Sequence, residues 1–343
     1  MARAGVPVPP VPDPAQCHHP SLAALAERAR LIRGTGPVDG AAVDWVCNNT
    51  AEHNGGGNVT NRPIDNFLLK LPALYCSGCR KLNPVGYRWK ITQCTLGRIG
   101  LDFLIRNQGP HNTCVAHAIL SGMDLMYKIH TAYQSRAFVG RPLSMQDFFM
   151  KFSHFFKVSF GYERNPALEI DRALCVIYIA QQYGVRLSAP SLTTWFEWQQ
   201  ESNDKVMMGS FFHVPSNDTE LIIRLIAGGY PLICGVPSGR TFKFTSADEI
   251  YDGGRVPTNH CVLLIGSGVF NYPGNPDAIP RHTLGTWPLN RDGRRGPRVC
   301  LGARGSWGSQ VHGSSSQEGG GGDFYIWADQ IDRVMGFHIE GMY

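Results

Sequence analysis

Gln108 lies six residues before Cys114, and far down the chain His260 opens the apolar run Cys261-Val262-Leu263-Leu264-Ile265. A thiol, an imidazole and a side-chain amide are the groups that acyl transfer through a sulfur nucleophile requires. An unperturbed thiol is only a few per cent thiolate at neutral pH, so it needs a base or a positive field. An imidazole forms an ion pair with the thiolate and later protonates the leaving amine. An amide N–H beside the thiol, together with the backbone N–H of the cysteine, donates to the oxyanion, and losing one such donor costs about 10²–10³ in rate. Taken singly, a cysteine is usually a small buried hydrophobe, and a histidine or glutamine is usually structural or solvated. Their combination is what carries weight.

Those groups need elements to hold them. Val115, Ala118, Ile119, Gly122, Met123, Met126 and Ile129 recur at spacings of three and four, which predicts a helix with one apolar face beginning at Cys114. Asn112 and Thr113 are good cap residues and Pro110 stops backward propagation, so Cys114 is expected in the first turn, near the positive end of the helix. A second helix is expected over residues 170–183, stopped by Gly184. A third starts at Asn217 with Glu220 as a capping box and ends at Gly228-Gly229. Residues 230–236 and 260–266 read as buried strands. Upstream, residues 1–20 are proline-rich and expected to be disordered, residues 21–32 form a short helix, and residues 34–64 read as loop.

Read together, these residues resemble the papain-like cysteine peptidases, the group that includes the cathepsins. Asn107-Gln108-Gly109 is similar to the family's segment before the nucleophile, and Cys114 stands at the nucleophile position. Leu143-Ser144-Met145-Gln146, Tyr183-Gly184, Ile250-Tyr251-Asp252-Gly253, Asn259-His260, Ser306-Trp307-Gly308 and Asp323-Phe324-Tyr325-Ile326 follow in the family's order. His260 lies 146 residues after Cys114, within the family's spacing of roughly 130–150. The resemblance implies an α+β, two-lobed fold with a helix-rich N-terminal half, a β-barrel-like C-terminal half and a cleft between them. It assigns residues 85–343 to the peptidase domain, divided at 210, with an insertion over 267–305, and leaves residues 1–84 as a partly disordered N-terminal extension without a recognisable zymogen prosegment.

The implied function is cleavage of peptide bonds by a cysteine peptidase. Cys114 is the nucleophile, His260 the acid and base, Gln108 the oxyanion donor, Trp307 the shield over the histidine, and Asn112 a cleft residue. His117, one turn from Cys114, is expected to point into the core and pair with backbone. The chain departs from the family at several places. His111 replaces a disulfide cysteine, Asn112 replaces a cleft glycine, and Gly305 replaces the asparagine that orients the histidine. A histidine needs its second ring nitrogen held to fix tautomer and direction, so the resemblance implies a weakened enzyme. Asn271, Asn275 and Asn290 are candidate replacements. The alternative is a catalytically inactive papain-like protein that binds peptides or proteins.

Composition bounds the remaining classes. The chain has 343 residues, 43% of them hydrophobic, with a net charge of +5. That charge gives no reason to expect a nucleic-acid partner, and no run approaches the ~20 apolar residues of a membrane span. The expected partner is a peptide or protein substrate, and the chain is expected to be a monomer. Arg281, Arg291, Arg294, Arg295, Arg298 and Arg304 cluster in one stretch, read as either an anionic docking loop or a solvated insertion. Of ten cysteines, Cys76-Ser77-Gly78-Cys79 forms a C-x-x-C pair, with Cys17, His18 and His19 as conceivable further ligands. Without a second such pair it is a weak zinc or redox signal, and neither metal nor cofactor is expected. The start of the chain lacks the apolar core of a signal peptide, whereas the family resemblance implies a lysosomal, vacuolar or extracellular setting. The compartment is left open.

Overall fold

The computed structural model describes residues 34–35, 44–63, 71–84, 86–96, 98–134, 140–160, 173–188, 205–245, 249–253, 256–270, 298–312 and 321–340. Helices dominate the first half: α1 (Cys114–Tyr133), α2 (Met145–Phe160) and α3 (Ala173–Tyr183), with α4 (Thr219–Ala227) following. Strands dominate the second half, and the short strands β1 (Gly34–Thr35), β5 (Thr95–Leu96), β6 (Ile99–Gly100), β7 (Val185–Arg186) and β8 (Lys205–Val206) lie outside the main sheet. The architecture is mixed α and β, in agreement with the α+β expectation. The expected short helix over residues 21–32 lies outside the described residues.

The main sheet has eight strands. Seven of them are β9 (Met208–Val214), β10 (Leu232–Pro237), β11 (Ile250–Tyr251), β12 (Thr258–Phe270), β13 (Arg298–Arg304), β14 (Asp323–Trp327) and β15 (Asp332–Ile339), and they run in the order β11-β14-β13-β12-β10-β15-β9. The eighth, β4 (Tyr87–Lys90), adds to the far end of β12. Among the described residues no ladder joins β9 to β11, so the path has two ends. The short β11 pairs in parallel with β14.

α1 is the centre of the molecule. The sequence pattern marks one apolar face, yet residues 115–126 are buried without interruption. A helix buried all round is a core helix rather than a surface one. Gly122 makes this close packing possible: a Cβ there would meet the Phe337 ring at 2.6 Å and a Leu263 methyl at 3.1 Å. The helix therefore lies directly on β12 and β15. α4 begins one residue later than the sequence suggested, because Asp218 rather than Asn217 accepts from the Leu221 N–H at 3.0 Å. Glu220 is drawn instead into ion pairs with Arg224 and Arg80.

Two expectations are corrected by the ladders. The stretch over residues 267–305, read as an inserted loop, has structured ends: β12 runs to Phe270 and β13 begins at Arg298, paired antiparallel. Residues 271–297 lie outside the described residues, and with them Arg281, Arg291, Arg294 and Arg295. The two described arginines of that cluster are not free for a docking role. Arg298 pairs with Asp329. Arg304 is buried, and its guanidinium binds Asp323 at 2.6 Å, Asp102 at 2.9 Å and the Phe103 carbonyl at 2.5 Å. Likewise residues 34–64, read as loop, contain a hairpin of β2 (Trp45–Cys47) and β3 (Val59–Asn61).

Arg304 ties the exit of β13 to the segment that leads towards Gln108. Removing one member of a buried ion pair strands the other charge and typically costs about 3–5 kcal/mol. Arg304→Met is expected to lower the unfolding free energy by about that amount in urea titration. A loss below about 1 kcal/mol, the surface-pair range, would contradict this role.

Candidate active site

Cys114 is the first residue of α1. Asn112 is exposed and Thr113 is buried, and neither supplies the side-chain cap expected of it: the helix start has no side-chain cap bond. The Thr113 carbonyl instead accepts from the His117 N–H at 3.1 Å. Cys114 is half-buried and packs against the core, within electrostatic range of Cys261 of β12. Burial first, and then the nearby Cys114, push Cys261 well above an ordinary thiol. Cys261 directly follows His260 on β12.

Gln108 is held on both sides of its amide. Its backbone N–H donates to the Ser306 carbonyl at 2.7 Å, its side-chain oxygen accepts from the Ser306 hydroxyl, and its Nε2 donates to the His111 carbonyl at 2.7 Å. An amide nitrogen carries two hydrogens, and the His111 carbonyl uses one. Around it, Asn107 pairs antiparallel with Trp307, and the Gly308 N–H donates to the Arg106 carbonyl at 3.0 Å. The Gln108 loop and the Ser306-Trp307-Gly308 segment thus form one short ladder.

The register of β12 and β13 explains how His260 joins it. Leu263 pairs with Arg304, and continuing that register three residues brings Trp307 opposite His260. The two rings stack, centroids 4.5 Å apart with 24° between planes. Phe242 meets both edge-on, at 5.6 Å from His260 and 5.2 Å from Trp307. The Lys243 ammonium lies 4.5 Å from the Trp307 ring centroid. Burial, His312 and then Lys243 hold the His260 imidazole down to about 4, so it is neutral at physiological pH.

Gly305 leaves the His260 ring without the expected asparagine, and Asn271, Asn275 and Asn290 all lie outside the described residues. His260 Nε2 is buried with no hydrogen-bond partner among the described residues. The side chain nearest the Gly305 position is His312. A Cβ on Gly305 would lie 3.8 Å from His312 Nε2, at ordinary contact distance. His312 is buried, its ring packs 5.0 Å from Phe242 and 4.6 Å from Phe324, and its Nδ1 is 2.9 Å from the Thr245 carbonyl. The carbonyl can only accept, so Nδ1 carries the hydrogen and Nε2 presents a lone pair. That Nε2 is likewise buried without a partner among the described residues. His312 also adopts φ of 62°, a left-handed backbone that few non-glycine residues take and that marks stored strain.

His117 differs from its expectation. It is buried, but its Nδ1 has no partner among the described residues, and with Gln108 and Met145 it lines a cavity of about 480 Å³. Burial, and then Arg106, push it down to about 4. Phe242 and His312 were not singled out from the sequence, and Ser306 was noted only as part of the motif that carries Trp307. His312 lies in a glycine- and serine-rich tract with no spacing signal, and only the folded chain brings it to Gly305.

No family model matches the chain, and no curated protein matches it. Solved structures do resemble it. The bromelain protease from Ananas comosus in complex with the E64 inhibitor is 14% identical, over 69% of this chain and 94% of that one, with a TM-score of 0.45. Xylellain, a cysteine protease from Xylella fastidiosa, is 13% identical, over 75% and 87%, with a TM-score of 0.44. Digestive procathepsin L 3 of Tenebrio molitor larval midgut is 12% identical, with a TM-score of 0.44, and the match covers 69% of this chain and 66% of its own length, just under two thirds. These neighbours are papain-like cysteine proteases.

The buried histidines make stability depend on pH. His117 and His260 stay neutral in the folded chain down to about 4, whereas an unfolded histidine protonates near 6.5. Between those values the unfolded state binds protons that the folded state cannot, so stability is level above about pH 6.5 and falls as pH drops towards 4. Each histidine is expected to remove about 2 kcal/mol at pH 5. Urea unfolding at pH 7.5 and pH 5 checks this, and equal stability at the two values would contradict it.

Proposed function

We propose that this chain is a cysteine peptidase that cleaves peptide bonds through Cys114 and His260. The observation that supports it most is the bridge of Asn107 with Trp307, beside which Gln108 is bonded to Ser306 and His260 stacks on Trp307. In this reading residues 85–343 form the catalytic unit. Its helical half, to about residue 210, supplies Cys114 and Gln108, its β-rich half supplies His260 and Trp307, and the substrate lies in a cleft between them. Residues 1–84 are an extension.

The chemistry follows from the groups present. His260, neutral at rest, takes the Cys114 proton as the sulfur attacks the peptide carbonyl carbon. The oxyanion is held by the Cys114 backbone N–H and the second Gln108 Nε2 hydrogen. Collapse breaks the C–N bond, His260 gives its proton to the leaving nitrogen, and a thioester remains on Cys114. Water attacks that thioester with His260 again as base, releasing the acid and restoring the thiol. Trp307 covers the imidazole and keeps bulk water from it.

His312 takes the part of the absent asparagine. Its Nε2 lone pair accepts from His260 Nε2–H, through a small ring movement or one bridging water, and leaves His260 Nδ1 for the thiol. A neutral acceptor suffices because His260 gains its positive charge only during the reaction. His312 is a positioning residue, since it acts through His260.

Hydrolysis of an unfolded protein substrate by the full chain tests this reading. Cys114→Ala and His260→Ala are expected to abolish turnover, and Gln108→Ala to lower kcat about 10²–10³-fold. His312→Ala is expected to lower kcat about tenfold or more with KM little changed, and adding Gly305→Asn to that variant is expected to recover part of the loss. Unaltered turnover in folded Cys114→Ala would sink the peptidase assignment. A His312→Ala variant with unaltered kcat would remove His312 from it. Absence of turnover in the wild-type chain, with peptide binding retained in Cys114→Ala, would favour a binding protein.

A further inference from the structure

A second cluster of reactive side chains lies away from this site, at the β2–β3 hairpin. Cys47 ends β2, His53 follows in the connecting loop, and Cys76 and Cys79 flank a tight turn packed against β3. One ligand atom from each of the four lies within 4.8 Å of all the others. Cys47 Sγ is 3.7 Å from Cys79 Sγ, and Cys76 Sγ is 3.4 Å from His53 Nε2. Thiols are weak hydrogen-bond donors and acceptors, so hydrogen bonding gives little reason for three of them to gather round one imidazole. A disulfide would need sulfurs about 2.05 Å apart, and all nine described cysteines are free.

Tetrahedral coordination does give a reason. With Zn–S near 2.3 Å and Zn–N near 2.0–2.1 Å, the edges of a zinc tetrahedron are about 3.8 Å between sulfurs and about 3.5 Å from sulfur to nitrogen. The observed separations fit those edges. The surroundings are arranged for the same purpose. His53 Nδ1 is 2.6 Å from the Gly57 carbonyl, which fixes the hydrogen on Nδ1 and turns the Nε2 lone pair towards the sulfurs. The Gly78 N–H donates to the Cys76 sulfur at 3.3 Å, a bond that favours thiolate. Asn61 of β3 accepts from the Ser77 N–H at 2.8 Å and holds the turn in place. Gly78 is needed there, because a Cβ would lie 2.9 Å from the His53 ring. The local core consists of Trp45, Cys47 and Cys76, and so small a core needs a staple.

We propose that Cys47, His53, Cys76 and Cys79 bind one Zn²⁺ ion as a closed structural site. Three thiolates and an imidazole suit zinc among the common divalent ions, and with all four positions filled by protein no open position is left for catalysis. Three thiols lose their protons on binding, so the site carries a net charge of −1. Arg80 and Lys81 follow it directly, and Arg80 reaches Glu220 of α4 at 2.8 Å. The metal would therefore fix the hairpin and the 76–79 turn to the β-rich half. The sequence pointed to Cys76 and Cys79 but gave no metal and looked to Cys17, His18 and His19, which lie outside the described residues. The partners the fold brings are Cys47 and His53.

The full chain, purified under reducing conditions, incubated with ZnCl2 and desalted, tests this by zinc analysis and native mass spectrometry. One zinc per chain is expected. Cys76→Ser and Cys79→Ser are expected to hold less than about a tenth of that. Because those variants can unfold, Co²⁺ exchanged into the wild type gives a second readout: tetrahedral d–d absorption with thiolate charge-transfer bands is expected. A folded wild type without zinc after incubation, zinc retained by the Cys76→Ser/Cys79→Ser variant, or an intact mass two hydrogens short under these conditions would each overturn the proposal. None of these readouts depends on peptidase activity.

Discussion

The pairing of Asn107 with Trp307 is the contact on which the candidate site depends. It joins two segments that are nearly two hundred residues apart in sequence: the loop entering α1 and the chain leaving β13. Backbone and side-chain bonds between Gln108 and Ser306 reinforce it. Two buried arginines brace the same junction from either side. Arg106 reaches Asp124 of α1 and the Leu143 carbonyl, and Arg304 reaches Asp323 and Asp102. Each guanidinium fills a place where loop backbone would otherwise be buried without partners. The long loops are thereby fixed at their bases, and the groups between them acquire defined positions.

Electrostatics then set the protonation of the site. His260 is enclosed by Trp307 and Phe242, and burial first, then His312 and Lys243, oppose a charge on its ring. In the proposed mechanism the imidazole therefore starts neutral and takes the thiol proton as the bond forms. This changes what the second ring nitrogen requires. A neutral imidazole needs its tautomer held more than its charge balanced, and a lone pair on a fixed neutral ring such as His312 can do that. The φ of 62° at His312 is consistent with a residue kept in an unfavourable backbone conformation by the packing around its ring.

Local signals in the sequence were reliable where geometry is local. The spacing from Val115 to Ile129 marked α1, Gly184 ended α3, and the apolar runs marked β10 and β12. Where tertiary packing decides, the sequence was less informative. α1 is buried all round because sheet and helices enclose it, which a one-face pattern understates. Arg304 looks like a surface charge in a basic stretch, and only its meeting with Asp323 and Asp102 makes it a core residue. His312 and the partners of Cys76 were hidden for the same reason. Their neighbours are distant in sequence, and neither a glycine-rich tract nor an isolated Cys47 or His53 carries a spacing that announces them.

The central claim is that Cys114 is a nucleophile activated by His260. The most direct measurement is covalent labelling by an epoxysuccinyl inactivator of thiol peptidases, read by intact mass and peptide mapping, with His260→Ala as the control. One label per chain is expected, on Cys114, with labelling slowed when His260 is removed. A folded wild-type chain that is not labelled, or that is labelled equally fast without His260, would contradict it.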